Sequence, residues 1–477
     1  MSHDFMMIAP ELVLTAGALI VLMIAAFAGD TASRISNWIA VATLALAAIA
    51  LRTVTGEGGL AFSGTFQADA FSHFAKIVIY AASAVSILIA PRFFSSDGPM
   101  RAEYAALILF ASVGMGIMVS ATDLISLYIG LELNSLAAYV LASFMRKDDR
   151  STEAGLKYFV LGALASGILL YGMSLLYGFT GTTEFAGIAN AFAAEKNAGL
   201  LFGLVFVLAG LSFKISAVPF HMWTPDVYEG APTPVTAFFA SAPKVASVAL
   251  LTRVVIEALG PGKFDWQQII MVIAILSTIL GAVAAVRQTN IKRLLAYSSI
   301  NNVGFALIGL AAGNEAGVSA VLVYMAVYAA TTLGAFICVL QMRRADGEYV
   351  EDIQSLAGLN KNRPWLAFAF AVFMFSMAGV PPMFGFWPKL LVFNAAVSAG
   401  LMPLAVIGVL AAVVGAFYYL KIVKTMYFDE PTGEFANDGP VIDKAIMALT
   451  AVAVSFFGYL AIPALTASST AAAKALF

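Results

Sequence analysis

Apolar runs long enough to cross about 30 Å of hydrocarbon, at about 1.5 Å per helical residue, recur along almost the whole chain. They cover residues 12–29, 35–51, 69–91, 104–120, 124–145, 154–177, 198–218, 235–257, 266–286, 291–311, 316–342, 365–382, 390–420 and 442–463. Most polar and charged residues collect in the gaps between them. The pattern predicts an all-α polytopic membrane protein of about fourteen transmembrane helices.

Two of these runs are interrupted. Val218-Pro219 falls in the seventh, with Pro225 beyond it, and Val380-Pro381-Pro382 falls in the twelfth, followed by Pro388. Proline has no N–H and clashes with the preceding turn, so each run is expected to be two half-helices joined by an extended stretch. Freed backbone groups are tolerated at membrane depth only where they meet protein or water, so both breaks are expected to line a hydrated interior. For either helix alone, a proline kink in a packed bundle is the simpler alternative.

The interruptions are related. Glu153-Ala-Gly155 recurs as Glu315-Ala-Gly317, an offset of 162 residues, and the same offset carries Phe213-Lys-Ile-Ser-Ala-Val-Pro219 onto Phe375-Ser-Met-Ala-Gly-Val-Pro381. With a slip of one or two residues it also brings Trp223 and Pro225 close to Trp387 and Pro388. Five spans separate the matched points, and an odd number turns the second copy over in the membrane, as in inverted-repeat transporters. The expected organisation is three helices in residues 1–103, a first five-helix repeat in 104–260, its inverted copy in 261–428 and a last helix in 429–477.

Composition narrows the class. The chain has 477 residues, 61% hydrophobic and only 11% charged, with mean hydropathy +0.90. A soluble domain carries about a quarter charged residues. The first run lacks a basic flank and follows Glu11, so it is expected to be retained rather than removed as a signal peptide. Loops after odd-numbered spans hold most basic residues, among them Arg146, Lys147, Arg150, Arg343 and Arg344, whereas the opposite loops offer little beyond Arg52, Lys196 and Lys263. Both termini are therefore expected on the outer side. The net charge of −2 points to no partner class. A single cysteine, Cys338, excludes an intramolecular disulfide, and His3, His73 and His221 lie too far apart in the chain to read as a metal site. No phosphate- or dinucleotide-binding glycine motif is present.

Charges inside the runs carry the candidate chemistry. Glu132, Lys214, Lys244 and Lys389 lie inside predicted spans or at their broken edges. Each costs roughly 2.5 kcal/mol or more at a helix centre, so four without a role would be a heavy burden; the alternative is a structural ion pair or a side chain snorkelling to the interface. Lys157, four residues after Glu153, has both readings, relay or interface. Lys76, and Arg253 with Glu257, are expected to snorkel or pair locally. Lys292 and Arg293 are expected to supply the positive-inside signal, and Asp226 and Glu229 to be solvated or capping groups. His221 and Trp223 lie beside the first break, where either polar bridging or packing accounts for them. Buried amines and a carboxylate can be brought near neutrality and exchange protons. A sodium path would instead want clustered carboxylates and carbonyls, and lysines within it would repel the cation.

With Glu132 in the fifth span, Lys214 before the break in the seventh, and the stretch from Pro219 through His221-Met-Trp223 to Thr233-Pro-Val-Thr236, the sequence resembles the antiporter-like subunits of respiratory complex I, from about the fourth span to the thirteenth. The resemblance implies proton translocation across a bacterial inner membrane, driven by NADH oxidation and quinone reduction in other subunits. NADH, flavin, iron–sulfur clusters and quinone would then belong to those subunits, with no redox site or cofactor in this chain. Expected partners are sibling antiporter-like subunits, small membrane subunits and lipid, and no nucleic acid. By position, Glu132 and Lys214 would form a coupled pair, Lys244 would link two half-channels, and Lys389 would gate exchange with the outer side. Lysine at 389, where a sibling subunit carries glutamate, and an end after the fourteenth span without a long lateral helix set it apart within the family. One departure matters: at the 162 offset, Glu132 and Lys214 fall on Leu294 and Ser376.

Two other readings remain open to the sequence. One is a subunit of a sodium/proton antiporter of the same ancestry. The other is an intramembrane enzyme using Glu132 with a Ser or Thr nucleophile, for which His73 and His221 lie in no recognisable nucleophile motif.

Overall fold

The computed structural model describes residues 2–54, 59–95, 100–344, 347–436 and 439–477. Helices dominate; the strands among the described residues form one short hairpin, Gly59–Ala61 with Phe66–Ala68. By length and composition, eleven of the described segments can cross a membrane; the first of them, Ala9–Arg52, holds two helices, Ala9–Ala28 and Ser33–Val54.

Helix ends are set by polar residues at the edges of the apolar runs. Asp69, Asp123, Asn197, Asn290 and Asn314 each cap a helix N-terminus with a side-chain oxygen. This satisfies N–H groups that have no partner within the helix. The Ala70–Leu88 helix opens on a reciprocal capping box between Asp69 and Ser72.

The segment Thr233–Ala258 is enclosed on all sides, and Ile291–Ala311 and Glu315–Leu340 nearly so. Ala9–Arg52, Met402–Phe428 and Phe456–Lys474 lie at the periphery and present much apolar surface outward. Small residues let neighbouring helices approach closely. A Cβ on Gly114 would lie 2.6 Å from the carbonyl oxygen of Gly130 on the next helix.

Both expected interruptions are present. Ala198–Lys214 stops and the chain resumes as a helix at Trp223–Gly230; Pro364–Ala378 stops and resumes at Phe386–Ser398. Each break includes a cis X–Pro bond, Val218–Pro219 and Pro381–Pro382.

Two boundaries differ from expectation. Residues 390–420 are not one span: Phe386–Ser398 completes the interrupted twelfth helix, and a new helix runs Met402–Phe428. The turn between them uses Gly400 at φ +79° and the proline at the start of the next helix, a stop–start signal hidden inside a continuous apolar run. The run 442–463 is also divided, into Val441–Val454 and Ile462–Lys474 around a 3-10 stretch. This third discontinuity lies against the second break: the Phe384 amide donates to the carbonyl oxygen of Val454 at 2.9 Å.

Candidate functional site

The first break is closed by side chains. Lys214 ends its helix, and Ser216 follows at φ +61°. The carbonyl oxygen of Phe213 accepts from Trp223 Nε1 at 3.0 Å, that of Ile215 accepts from Lys244 Nζ at 2.9 Å, and the Val218 amide donates to Ser277 Oγ at 2.9 Å. Backbone groups released by Pro219 and the turn before it are thereby satisfied within the protein.

Lys214 Nζ donates to Ser135 Oγ at 2.8 Å and reaches Tyr139 Oη at 3.4 Å. Glu132 accepts from Ser166 Oγ at 2.5 Å. Glu132, Ser135 and Tyr139 share one face of the Leu124–Ala142 helix, at i, i+3 and i+7. Among the described residues no ion pair joins Glu132 to Lys214; the hydroxyl of Ser135 takes the ammonium instead.

Lys244 is 1% exposed and follows Pro243 at the start of the Ala242–Arg253 helix. It donates to Ile215 O and to Ser216 Oγ at 2.5 Å, and lies 5.6 Å from the centroid of Trp223. A cation is unfavourable at a helix N-terminus, so the carbonyl, hydroxyl and ring are its compensation. Lys214 thus ends the helix at the break, and Lys244 reaches the next two residues of the break from another helix.

Lys389 is 7% exposed and meets the second break differently. From the resumed helix it reaches back to the carbonyl oxygens of Met377 and Ala378, at 2.8 and 2.9 Å, and lies 4.8 Å from the Phe305 centroid. Those carbonyls end a helix and favour a cation. Gly379, at φ +77°, leaves the room: a Cβ there would lie 2.7 Å from Lys389 Cδ.

Lys157 stands apart from these groups, half-exposed, with ion pairs of 2.7 Å to both Glu153 and Asp226. It belongs to a charge network at one end of the bundle. Arg293 pairs with Asp226 and Glu229, Arg150 with Glu351, and Lys292 with Glu351 at 2.9 Å. The expectation of solvated or capping roles for Asp226 and Glu229 is corrected: both are in ion pairs. Lys292 is buried, with a further bond to Ala231 O. Burial by itself pushes the Glu351 carboxyl up, but the charge and hydrogen bond of Lys292, with help from Asn290 and Arg150, hold it at about 2.

Two more buried charge groups differ from expectation. Lys76 does not snorkel: it is fully buried against Glu11, 2.6 Å away. Arg253 pairs locally with Glu257, as expected, but also with Asp69, whose two carboxylate oxygens both accept from its Nη2, at 2.8 and 2.7 Å. His221 Nδ1 is buried and makes no hydrogen bond of normal geometry among the described residues. The hydroxyls of Ser135, Tyr139, Ser166 and Ser216 escaped the sequence reading. Their one sequence signal is spacing: Ser135 and Tyr139 follow Glu132 at helical intervals.

Interrupted helices that hold buried lysines within an all-helical bundle define a polytopic membrane protein of the ion-translocating kind. The chain belongs to the family described as NADH:quinone oxidoreductase/Mrp antiporter, TM, which it matches over residues 121–415. It is 64% identical to NADH-quinone oxidoreductase subunit N of Rhizorhabdus wittichii, over the full length of both chains. Among solved structures it is similar to a chain of respiratory complex I from Thermus thermophilus, determined with bound aureothin. That match has a TM-score of 0.81 at 30% identity and covers 96% of this chain and 99% of the other. A chain of the Mrp complex from Dietzia sp. shares the fold, with a TM-score of 0.86 at 22% identity over 98% and 97% of the two chains.

Proposed function

We propose that this chain is the proton-translocating, antiporter-like membrane subunit that its relatives call subunit N, within a bacterial NADH:quinone oxidoreductase. The observation that carries the mechanism is the meeting of two buried lysines at one helix break: Lys214 ends the helix before it and reaches Ser135 on the glutamate-bearing helix, and Lys244 holds Ile215 O and Ser216 Oγ within it. Protons pass from the Glu132 and Lys214 region across the break to Lys244, and leave by way of Lys389. Glu132 couples to Lys214 through Ser135, Tyr139 and Ser166, so movement of one hydroxyl connects or separates the two charges. Lys157, paired with Glu153 and Asp226, stands at the mouth of the first half, and His221 is an accessory group at the break.

Redox chemistry with NADH, flavin, iron–sulfur clusters and quinone takes place in other subunits of the same translocase. Sibling antiporter-like subunits and small membrane subunits pack on the apolar outer faces, with lipid over the rest. The fold is fourteen spans in the inner membrane, with helices 4–8 in residues 104–260 and 9–13 in 261–428 as inverted copies, and with both termini on the periplasmic side. The matched offset, the paired interruptions at Pro219 and at Pro381-Pro382, and the odd number of spans between them support this plan.

Lys214→Ala and Glu132→Ala are each expected to lower protons pumped per electron reaching quinone while the assembly still forms; a parental ratio in both would overturn the reading. The alternative, a sodium/proton antiporter subunit, rests on the fold shared with the Mrp chain. Sodium-dependent proton uptake by vesicles in the absence of NADH would favour that alternative.

A further inference from the structure

The second half of the bundle has no carboxylate–lysine pair to match Glu132 and Lys214, because the offset lands on Leu294 and Ser376. Between the first break and Lys389 lies a cluster of buried hydroxyls instead. Tyr328 Oη donates to Ser299 Oγ at 2.8 Å, and Tyr324 Oη donates to Asn302 Oδ1 at 2.7 Å. Asn302 Nδ2 donates to the carbonyl oxygen of Ser298 at 2.8 Å and reaches Tyr419 Oη at 3.3 Å; Ser298 and Tyr419 share a hydrogen bond of 2.5 Å. A satisfied polar network can be purely structural. Two further observations separate this one from that case.

A cavity of about 20 Å³ lies between the cluster and the second break, lined by Asn302, Tyr324, Tyr328, Thr331, Ser376 and Lys389 among others. It has room for one water, which needs two to four polar partners and finds them there. As a neutral amine, Lys389 uses both of its N–H groups on Met377 O and Ala378 O, so its lone pair is left to accept a proton from such a water. At the other end, the hydroxyl of Tyr228 is fully buried beside Tyr328 and Ser299, within interaction range of the Ser299 hydroxyl but without a well-formed hydrogen bond among the described residues. Tyr228 stands one helical turn after Thr224, which donates to Ser216 Oγ at 2.6 Å, the same oxygen that Lys244 holds.

We infer that the second half carries protons from Lys244 to Lys389 over neutral groups: Ser216, Thr224, Tyr228, Ser299, Tyr328 and one water in the cavity. Lys244 gives up a proton and is left as the neutral amine; each oxygen then takes a proton on a lone pair and releases its own onward, for which Thr224 and Tyr328 turn their hydroxyls away from Ser216 and Ser299, so one positive charge moves and every hydroxyl ends neutral. The amine of Lys389 is the last acceptor and becomes the ammonium. Asn302 cannot relay in this way, since its amide oxygen only accepts and its nitrogen only donates. It is a positioning residue that holds Tyr324 at the cavity wall. The inference rests on the proposed function.

The test uses the whole respiratory complex in sealed vesicles, with pumping scored per electron so that poor assembly of a variant leaves the ratio unchanged. Ser299→Ala and Tyr328→Phe are expected to lower the ratio as far as Lys389→Ala does. Asn302→Leu is expected to lower it and to raise the solvent deuterium isotope effect on pumping, which a purely structural role would leave at the parental value. A parental ratio in Ser299→Ala combined with Tyr328→Phe, while Lys214→Ala and Lys389→Ala are impaired, overturns the hydroxyl route and leaves the function standing. A parental ratio in every variant, Lys214→Ala included, overturns both.

Discussion

Lys244 Nζ donates to the carbonyl oxygen of Ile215 at 2.9 Å, closing the gap that the first helix break opens in the backbone ladder. A buried amine is therefore both a structural plug and a group positioned to exchange a proton with Ser216. Replacing it with methionine keeps the volume but leaves a buried carbonyl without its donor, at a cost of about 1–3 kcal/mol. Lys244→Met is expected to lower the melting temperature of the isolated complex by a few degrees and to abolish this chain's share of pumping. Differential scanning of the complex together with the proton-to-electron ratio checks both, and an unchanged ratio would show that the lysine is only a plug.

Ser135 is the contact through which Lys214 meets the glutamate-bearing helix, at 2.8 Å. A hydrogen bond to a charged group contributes about 1.5–3 kcal/mol, so Ser135→Ala is expected to weaken coupling without unfolding a helix whose register the alanine preserves. The expected outcome is a several-fold slower pumping rate at normal assembly, with Ser135→Thr close to the parent. Proton uptake followed by a pH-sensitive dye in vesicles distinguishes these outcomes.

Gly379 combines a left-handed backbone with contact to Lys389. Any side chain there adds about 1–2 kcal/mol of backbone strain and forces the lysine stem away from Met377 and Ala378. Gly379→Ala is expected to impair pumping as much as Lys389→Ala, whereas an alanine at Gly400, also at positive φ but with open space around it, should cost only stability. Equal pumping defects in the two glycine variants would contradict this assignment.

Arg253 and Asp69, 184 residues apart in sequence, form a buried pair that ties one helix to the N-cap of another. Breaking a buried pair by removing one partner costs roughly 3–5 kcal/mol, an upper figure here because Glu257 still faces Arg253, while replacing both partners with apolar residues is milder. Asp69→Asn, which keeps the helix cap, is expected to reduce the yield of assembled complex, and adding Arg253→Met to recover part of it. Quantifying the chain in membranes by immunoblot tests this, and no recovery in the double variant would rule out the pair as the cause.

Glu351 ties Lys292 and Arg150 together at one end of the bundle. Its folded value near 2 lies below the ordinary 4.5, so its contribution is full above about 4.5 and is lost as pH falls through about 2. The difference in thermal stability between the parent and Glu351→Gln is therefore expected to be constant from pH 7 to pH 5 and to shrink steadily below that. A difference that grew on acidification would refute the sign.

Much of the fold was legible before any coordinates. Apolar length located most spans, because crossing hydrocarbon demands a fixed number of apolar residues whatever the neighbours are. Pro219 and Pro381-Pro382 located the interruptions, because a missing N–H acts on its own helix. The same reading passed over the turn at Gly400 and the discontinuity after Val454, where the residues on both sides are equally apolar and only a glycine, a proline or a serine marks the stop.

Glu132, Lys214, Lys244 and Lys389 stood out in the sequence because a charge in an apolar run is costly wherever its partner lies. The tertiary structure alone decided what each one meets: Lys214 a serine rather than Glu132, Lys244 a backbone carbonyl across the break, Lys76 a glutamate from the first helix, Arg253 an aspartate from a distant loop. The hydroxyl cluster around Asn302 was invisible for the opposite reason. Serine, threonine and tyrosine cost little inside a helix, where a hydroxyl can bond the carbonyl one turn back. Only the packing of three helices reveals which of them face one another.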